Sequence, residues 1–356
     1  MQFTGEKLTV TVFGQSHAPA VGMVMDGLPA GIRVDREKLQ AFMARRAPGQ
    51  GSFTTSRKEA DIPEFMSGLS EDTTCGAPVC ALIRNNDARG RDYSQFLSVP
   101  RPSHADYPAR VKFGNAYDIR GGGQFSARLT APLCIAGGIA LQWLEDQGIY
   151  VGAHIASIAG IEDTPFDPVN VSLRDFLRVR ENGFPVLDPE AGKAMLAAID
   201  DASRAEDSVG GIVECAAIGL PAGIGDALFG GMESALSAAL FGIPAVKGVS
   251  FGSGFASAEL RGSQNNDPYV IREGRVMTST NHAGGIAGGM TTGMPVICCT
   301  AFKPTPSIGI PQKSVNLDTM EETELVITGR HDPCVVPRAV PVVEAVTALV
   351  LMDKLL

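Results

Sequence analysis

The hexapeptide Gly27-Leu28-Pro29-Ala30-Gly31-Ile32 occurs a second time, letter for letter, as Gly219-Leu220-Pro221-Ala222-Gly223-Ile224. Each copy follows a β-like apolar stretch, Val21 to Met25 in the first case and Gly211 to Ile218 in the second. Each precedes a helix-like stretch. The first is Asp35 to Arg46, with Asp35 placed as N-cap and Leu39, Phe42 and Met43 on one face; the second is Met232 to Phe241, rich in Ala and Leu. Gly and Pro are ordinary turn residues, so six matching letters alone carry little. With matching flanks they read as an old duplication of a strand–turn–helix unit.

Further helices are expected over Ala131–Gln147, Pro189–Arg204 (Asp188 as cap, Pro189 in the first turn) and Arg338–Leu356. Strands are expected at Leu8–Phe13, Val79–Ile83, Val246–Phe251, Val296–Phe302 and Leu325–Thr328. They do not alternate one-to-one with the helices, so an α+β arrangement fits better than a doubly wound parallel sheet. Residues 165–171 and 182–189 read as surface loops. No Pro/Ser-rich linker divides the chain, and residues 1–356 are expected to form a single domain.

The chain has 356 residues, a formal net charge of −9 and 44% hydrophobic residues, which excludes disordered and fibrous classes. One Trp and few aromatics disfavour a base-stacking nucleic-acid binder. No N-terminal stretch has the pattern of a signal peptide, and none reaches about 18 apolar residues; 339–356 comes nearest, broken by Glu344, Asp353 and Lys354. The expectation is a soluble protein without a membrane partner. Seven cysteines contain no C-x-x-C pair and sit mostly in apolar runs, which points to buried free thiols and a cytoplasmic location.

Charge is unevenly placed. Residues 1–130 hold 16 Lys and Arg against 13 Asp and Glu, whereas the remainder is strongly acidic. Twelve of the 21 Arg lie between Arg33 and Arg128. Arg is the fork-shaped donor suited to carboxylate and phosphate, so a local Arg surplus in an acidic chain points to a small anionic ligand rather than a nucleic acid.

Gly-rich runs at 121–128, 250–257 and 282–290 can bring backbone N–H groups close to a ligand, but none is a dinucleotide fingerprint or a P-loop. Of five histidines, His17, His104 and His331 lie in polar, loop-like settings. His282 sits in a tight NHAGG loop, and His154 is in an apolar stretch where a packed or surface strand residue is expected, its replacement near neutral for turnover. No metal-binding spacing is present, and near-neutral proton transfer is the natural task of the loop histidines.

Seven segments, GQSHAPAVGMVMDGLPAG (14–31), RPSHADY (101–107), YDIRGGGQFSARLTA (117–131), LRGSQNND (260–267), NHAGGIAGGM (281–290), KPTPSI (303–308) and GRHDPCVVPRAVPVVEA (329–345), resemble chorismate synthase, in that family's order. The resemblance implies a β-α-β sandwich of helices between two antiparallel sheets, internally pseudo-symmetric, and a homotetramer. It implies elimination of phosphate from 5-enolpyruvylshikimate 3-phosphate, a net redox-neutral 1,4-elimination that uses reduced FMN. It gives His104 the role of acid toward the leaving phosphate and His17 a role beside the reduced flavin. Asp332 matches the carboxylate near the flavin's reactive nitrogen, with Ser16 completing a proton relay. Arg46, Arg101, Arg128 and Arg330 match substrate-binding positions. Ser126, Ala245, Gly288, Lys303, Pro304, Thr305, Ser307 and Arg330 match FMN contacts. The compact chain has no room for a flavin-reducing insertion, so an external flavin reductase, with NADPH as indirect reductant, is expected.

Departures from the family pattern are Gln15, Ala18, Ala47, Ser52, Gln124, Phe125 and Pro244. Gln124 and Phe125 stand where the family offers a cation and a hydroxyl, so weaker FMN binding is expected. The competing expectation is a divergent, non-catalytic anion- or flavin-binding protein on the same fold. Retention of Ser16, His17, His104 and Arg128 weighs against it.

Overall fold

The computed structural model describes residues 1–49, 61–85, 93–328 and 332–356. Strands β1 (Gln2–Thr4), β2 (Thr9–Gly14) and β3 (Ala20–Asp26) lead through the first GLPAGI turn into α1 (Arg36–Arg46). There follow β4 (Glu64–Ser67), the small hairpin β5 (Leu69–Ser70) and β6 (Thr73–Thr74), and β7 (Val79–Arg84). Two short helices, α2 (Gln95–Ser98) and α3 (Asp106–Phe113), then precede the long α4 (Thr130–Asp146). The second half begins with β8 (Tyr150–Ile158), β9 (Ile161–Glu162), α5 (Leu173–Glu181), α6 (Pro189–Arg204) and β10 (Gly211–Ile218). After the second GLPAGI turn come α7 (Met232–Leu240), β11 (Val246–Phe251), α8 (Gly262–Asn265) and the hairpins β12 (Tyr269–Arg272)–β13 (Arg275–Thr278) and β14 (Ile286–Ala287)–β15 (Met290–Thr291). The chain closes with β16 (Val296–Phe302), the hairpin β17 (Gln312–Asn316)–β18 (Glu321–Leu325) and α9 (Val336–Leu355).

The two main sheets run β1-β2-β3-β7-β4 and β9-β8-β10-β16-β11, with antiparallel neighbours throughout. The order β2-β3-β7-β4 in one sheet repeats as β8-β10-β16-β11 in the other, and the hydrogen bonds repeat with it. Gly31 N donates to Thr74 O at 2.8 Å and Gly223 N to Thr291 O at 2.8 Å. Ile32 N and Ile224 N each donate to the same threonine's Oγ1 at 2.9 Å. Those hydroxyls donate onward to Pro29 O and Pro221 O. The hexapeptide repeat therefore marks two copies of one unit, as expected.

The turns need their first glycine for a shared reason. Gly27 and Gly219 have φ of +89° and +85°, and a Cβ on either would collide with the carbonyl oxygen of Lys7 or Gly148. Gly31 and Gly223 are also left-handed but have nothing within 4 Å of a Cβ. Gly27→Ala and Gly219→Ala are each expected to cost about 3 kcal/mol of stability, and Gly31→Ala or Gly223→Ala only about 1 kcal/mol. Urea unfolding checks this; equal losses at all four positions would contradict it.

Helices α4 and α9 fill the space between the sheets. Gly137 on α4 lies so close to Ala345 on α9 that a Cβ would strike its backbone. Nearly all of α9 is buried. The 127–146 segment, rather than the C-terminal one, is the stretch long and apolar enough to cross a membrane, and 78% of its apolar window is buried inside this sandwich. Polar anchors secure α9. Asp353 accepts from the backbone N–H groups of Glu6, Lys7 and Leu8 at 2.8–2.9 Å. Glu344 takes both ends of the Arg45 fork at 2.5 and 2.8 Å and the Ala153 N–H at 3.0 Å, tying α1 and the second sheet to the same helix.

One expectation needs correction and two gain detail. The last strand is Glu321–Leu325 rather than 325–328, because its charged residues pair with β17 in a surface hairpin that an apolar run does not mark. Residues 165–171 and 182–189 are loops at the surface, as expected, but they also cover the core: Phe166, Val171, Phe184, Val186 and Leu187 are buried. Beneath this cover His154 is fully buried, with Nδ1 2.9 Å from Asp163 Oδ2 and Nε2 2.7 Å from Glu214 Oε2. Its apolar neighbours in sequence concealed two carboxylates from other segments.

Candidate active site

A cavity of about 400 Å³ opens beside α4 and α9, and four polar segments meet around it. The first is the β2–β3 turn with Ser16 and His17. Asn85, just past β7, staples this turn by donating its side-chain amide to Ala18 O at 2.7 Å. Ser16 N donates to Gly123 O at 3.1 Å. Gly121, Gly122 and Gly123 all have positive φ (58°, 85°, 54°), and a side chain on Gly121 would press on Ser16 Oγ and His17. The tri-glycine run thus lets the two segments touch. Ser16 lies on the cavity wall; His17 sits one step behind it, buried, with its ring edge-on to Tyr93 at 5.3 Å.

The second segment is the RPSHADY loop leading into α3. His104 lines the cavity, its Nδ1 2.6 Å from Asp106 Oδ1 and its Nε2 turned toward Gly122. Burial alone would raise the Asp106 carboxyl, but hydrogen bonds and charge from Arg101 and His104 outweigh it and hold Asp106 well below the usual carboxylate range.

The third is a charge cluster spanning α1, α4 and α9. Asp61 accepts from Arg46 Nη1 at 2.6 Å and from Arg128 Nη1, so one buried carboxylate holds both forks. Arg46 also donates to Thr130 Oγ1 and Ala127 O, and Arg128 Nε to Asn85 Oδ1 at 3.1 Å. Arg338 donates to Asp332 Oδ2 at 2.6 Å and to Arg46 O at 3.0 Å. Burial, then the charges of Arg338 and Arg128 against the opposing pull of Asp61, push Arg46 down to about 10. With Lys303 also on the wall, among the described residues four cations face two carboxylates, Asp61 and Asp332, since Arg101 and Asp106 cancel. An incoming anion would relieve that surplus.

The fourth is the loop after β16. Lys303 donates its N–H to Ala245 O at 3.0 Å and its Nζ to Ser103 O. Ala245 and Ser103 are both left-handed non-glycines (φ 73° and 57°), a strain that clusters at functional sites. Burial first, and the Lys247 charge second, lower the Lys303 ammonium. Thr305 Oγ1 is buried on this wall with no partner among the described residues, and Ser307 Oγ accepts from Arg101 at 3.3 Å. Phe125, Ser126 and Ala245 separate this cavity from a larger, mainly apolar one of about 890 Å³ between β1, α7 and α9.

Of the residues anticipated from sequence, Ser16, Arg46, Arg101, His104, Ser126, Arg128, Ala245, Lys303, Thr305, Ser307 and Asp332 converge here. Gly288 lies in the β14–β15 turn, and Pro304 is exposed; neither lines the cavity. Arg330, His331 and Ser52 fall outside the described residues. The fork of Arg101 is spent on Asp106. Sequence reasoning missed Asp61, Asn85, Tyr93 and Arg338, which no motif singles out, and passed over Asp106 although it stands two residues from His104.

A family model described as chorismate synthase matches residues 8–356. A chorismate synthase of Lancefieldella parvula is 48% identical over 362 residues, covering 99% of this chain and 95% of that protein. One from Thermococcus gammatolerans is 48% identical over 352 residues, with 99% and 97% covered. A solved structure titled "Crystal Structure of Chorismate Synthase" superposes with a TM-score of 0.79 at 26% identity, covering 99% of this chain and 92% of that one. Fold, ordered motifs and full-length similarity agree, and the chain belongs to the chorismate synthase family.

Proposed function

We propose that this chorismate-forming lyase works through His104 as acid toward the leaving phosphate, with Ser16 and Asp332 on the cavity wall and His17 behind it handling protons. The observation that carries the proposal is that His104 and the Arg46–Asp61–Arg128 cluster face one cavity with surplus positive charge. The substrate, 5-enolpyruvylshikimate 3-phosphate, carries two carboxylates and a phosphate. Arg128 and Arg338 are the forks best placed to hold them, with Arg46 and Arg330 proposed alongside by resemblance; Arg46, like Arg101, already has all three of its nitrogens engaged. In the reaction a C–O bond and a ring C–H bond break and a C=C bond forms. Phosphate leaves with the bonding pair of the C–O bond and a proton that His104 supplies, while the ring hydrogen leaves as a proton toward Asp332 and Ser16 and its electron pair enters the new C=C bond, so the elimination is redox-neutral.

The residues fit reduced FMN. The hydroxyls of Ser126, Thr305 and Ser307, together with Lys303, form a donor set suited to a phosphate and a polyol, and the orphaned Thr305 Oγ1 calls for a partner. When bound, reduced FMN supplies an electron transiently and recovers it, leaving the reaction redox-neutral. Ala245, Pro304 and Gly288 are proposed contacts by resemblance; the last two lie off the cavity. Reduced flavin from an external NADPH-dependent reductase, a cytoplasmic location and a homotetramer complete the proposal. All seven cysteines are free, and Leu228, Phe229 and Phe255 are almost fully exposed apolar side chains suited to subunit contact. No observation favours the non-catalytic alternative.

Arg128→Ala is expected to weaken substrate binding by about 2–5 kcal/mol, because the side chain is buried beside Asp61. Titration with the substrate and its dephosphorylated analogue tests this. A larger loss for the phosphorylated ligand assigns Arg128 to phosphate, equal losses assign it to carboxylate, and undiminished binding of both contradicts the proposed site.

A further inference from the structure

We propose that Asp106 is a positioning residue for His104, and that Arg101, rather than reaching the substrate, completes a charge-balanced Arg101–Asp106–His104 relay that fixes which ring nitrogen meets the departing phosphate. The proposal rests on the reading of His104 as the acid.

A carboxylate only accepts hydrogen bonds, and a guanidinium only donates them. Asp106, with its side chain 1% exposed, has four donors around it. Its Oδ2 takes the Arg101 N–H at 3.1 Å and Nε at 2.7 Å. Its Oδ1 takes Arg101 Nη2 at 2.8 Å and His104 Nδ1 at 2.6 Å. A bare lone pair on Nδ1 would repel the carboxylate at that distance, so Nδ1 carries hydrogen. Arg101 Nη2, 3.1 Å from the same nitrogen, cannot then donate to it and spends its hydrogen on Asp106. Proton exchange is left to Nε2, which faces Gly122, where a Cβ would stand 3.3 Å away. The absent side chain keeps that approach open.

Arg101 has little left for a ligand. Nε and Nη2 hold Asp106, Nη1 donates to Ser307 Oγ at 3.3 Å, and the guanidinium lies over the Phe96 ring at 4.5 Å. The side chain is 5% exposed. By sharing the Asp106 charge, Arg101 lets His104 be held firmly without being locked into a closed ion pair. The arrangement lies within six residues, Arg101 to Asp106. The sharp turn that permits it falls at Ser103, whose left-handed backbone is pinned by Lys303.

The test uses the full-length protein, wild type, Asp106→Asn and the double variant Asp106→Asn/Arg101→Met, which removes the cation left buried by the single change. Nitrogen NMR of ring-labelled histidine reads the tautomer of neutral His104 without substrate or flavin, so it stands or falls independently of the chorismate reading. Wild type is expected to show hydrogen on Nδ1, and both variants to lose that single tautomer. In anaerobic assays with reduced FMN, kcat should fall roughly 10²-fold while KM for the enolpyruvyl substrate stays within about threefold. Near-UV circular dichroism establishes that the double variant is folded. A folded double variant that keeps the wild-type tautomer or the wild-type kcat, or that changes KM alone, overturns the proposal.

Discussion

His104→Ala is expected to lower kcat by roughly 10²-fold or more, the scale of a general acid, with little change in substrate affinity. The proposed proton donor is the ring at Nε2, whereas the proposed binding groups, the Arg46–Asp61–Arg128 cluster, sit on a different segment. His17→Ala is expected to cost a similar factor for a different reason. That ring is buried beside the Gly121 turn and edge-on to Tyr93, and by resemblance its proposed role is beside the reduced flavin. Steady-state assays under reduced flavin check both variants. A variant lacking His104 with wild-type turnover would remove the acid from the scheme.

The second large effect concerns stability. His154→Ala is expected to cost about 3–5 kcal/mol, because it strips the shared partner from two carboxylates in the core. Both ring nitrogens face acidic oxygens, so only the imidazolium satisfies both. Burial by itself would lower its pKa, but the bonds to Asp163 and Glu214 and their charges outweigh burial and raise it. A raised folded value means the stabilisation is complete below the unfolded value of about 6.5 and is lost as pH rises through the folded one. Asp163 works in the opposite sense. Burial pushes it up, yet His154 and the N–H groups of Leu187 and Asp188 pull it down, so its contribution is lost as acid is added. Urea unfolding of wild type and variant should therefore differ most on the acid side of neutrality and converge at alkaline pH. Turnover per folded molecule should be unchanged. A difference that grows as pH rises above neutrality would contradict the imidazolium assignment.

Legibility from sequence followed the range of the interactions. The GLPAGI repeat was readable because each turn is a local device, and its flanks carried the symmetry that the two sheets display. Pro189–Arg204 was read to the residue because Asp188 and Pro189 mark its start chemically. The active-site histidines were visible as polar loop residues within recognisable segments. Asp61, Asn85 and Arg338 were not, because their roles arise only when β4, β7 and α9 come together, and nothing in their neighbours announces that. His154 is a packed strand residue, one of the two expectations, but its carboxylate partners were hidden for the same reason: they lie nine and sixty residues away.

The most direct test of the whole account is an anaerobic titration with reduced FMN in the presence of 5-enolpyruvylshikimate 3-phosphate, with chorismate and phosphate both measured. If the resemblance holds at these positions, Gln124 and Phe125 forgo roughly 1.5–3 kcal/mol for each charge-assisted bond to the flavin that a cation and a hydroxyl would make there. Phe125, 39% exposed at the cavity wall, is placed to return part of this by aromatic packing, about 0.5–1.5 kcal/mol. The account predicts reduced FMN that binds more tightly with substrate present, tighter still in Gln124→Arg/Phe125→Ser, and chorismate and phosphate formed in equal amounts. No chorismate and no flavin binding at saturating reduced FMN would contradict it.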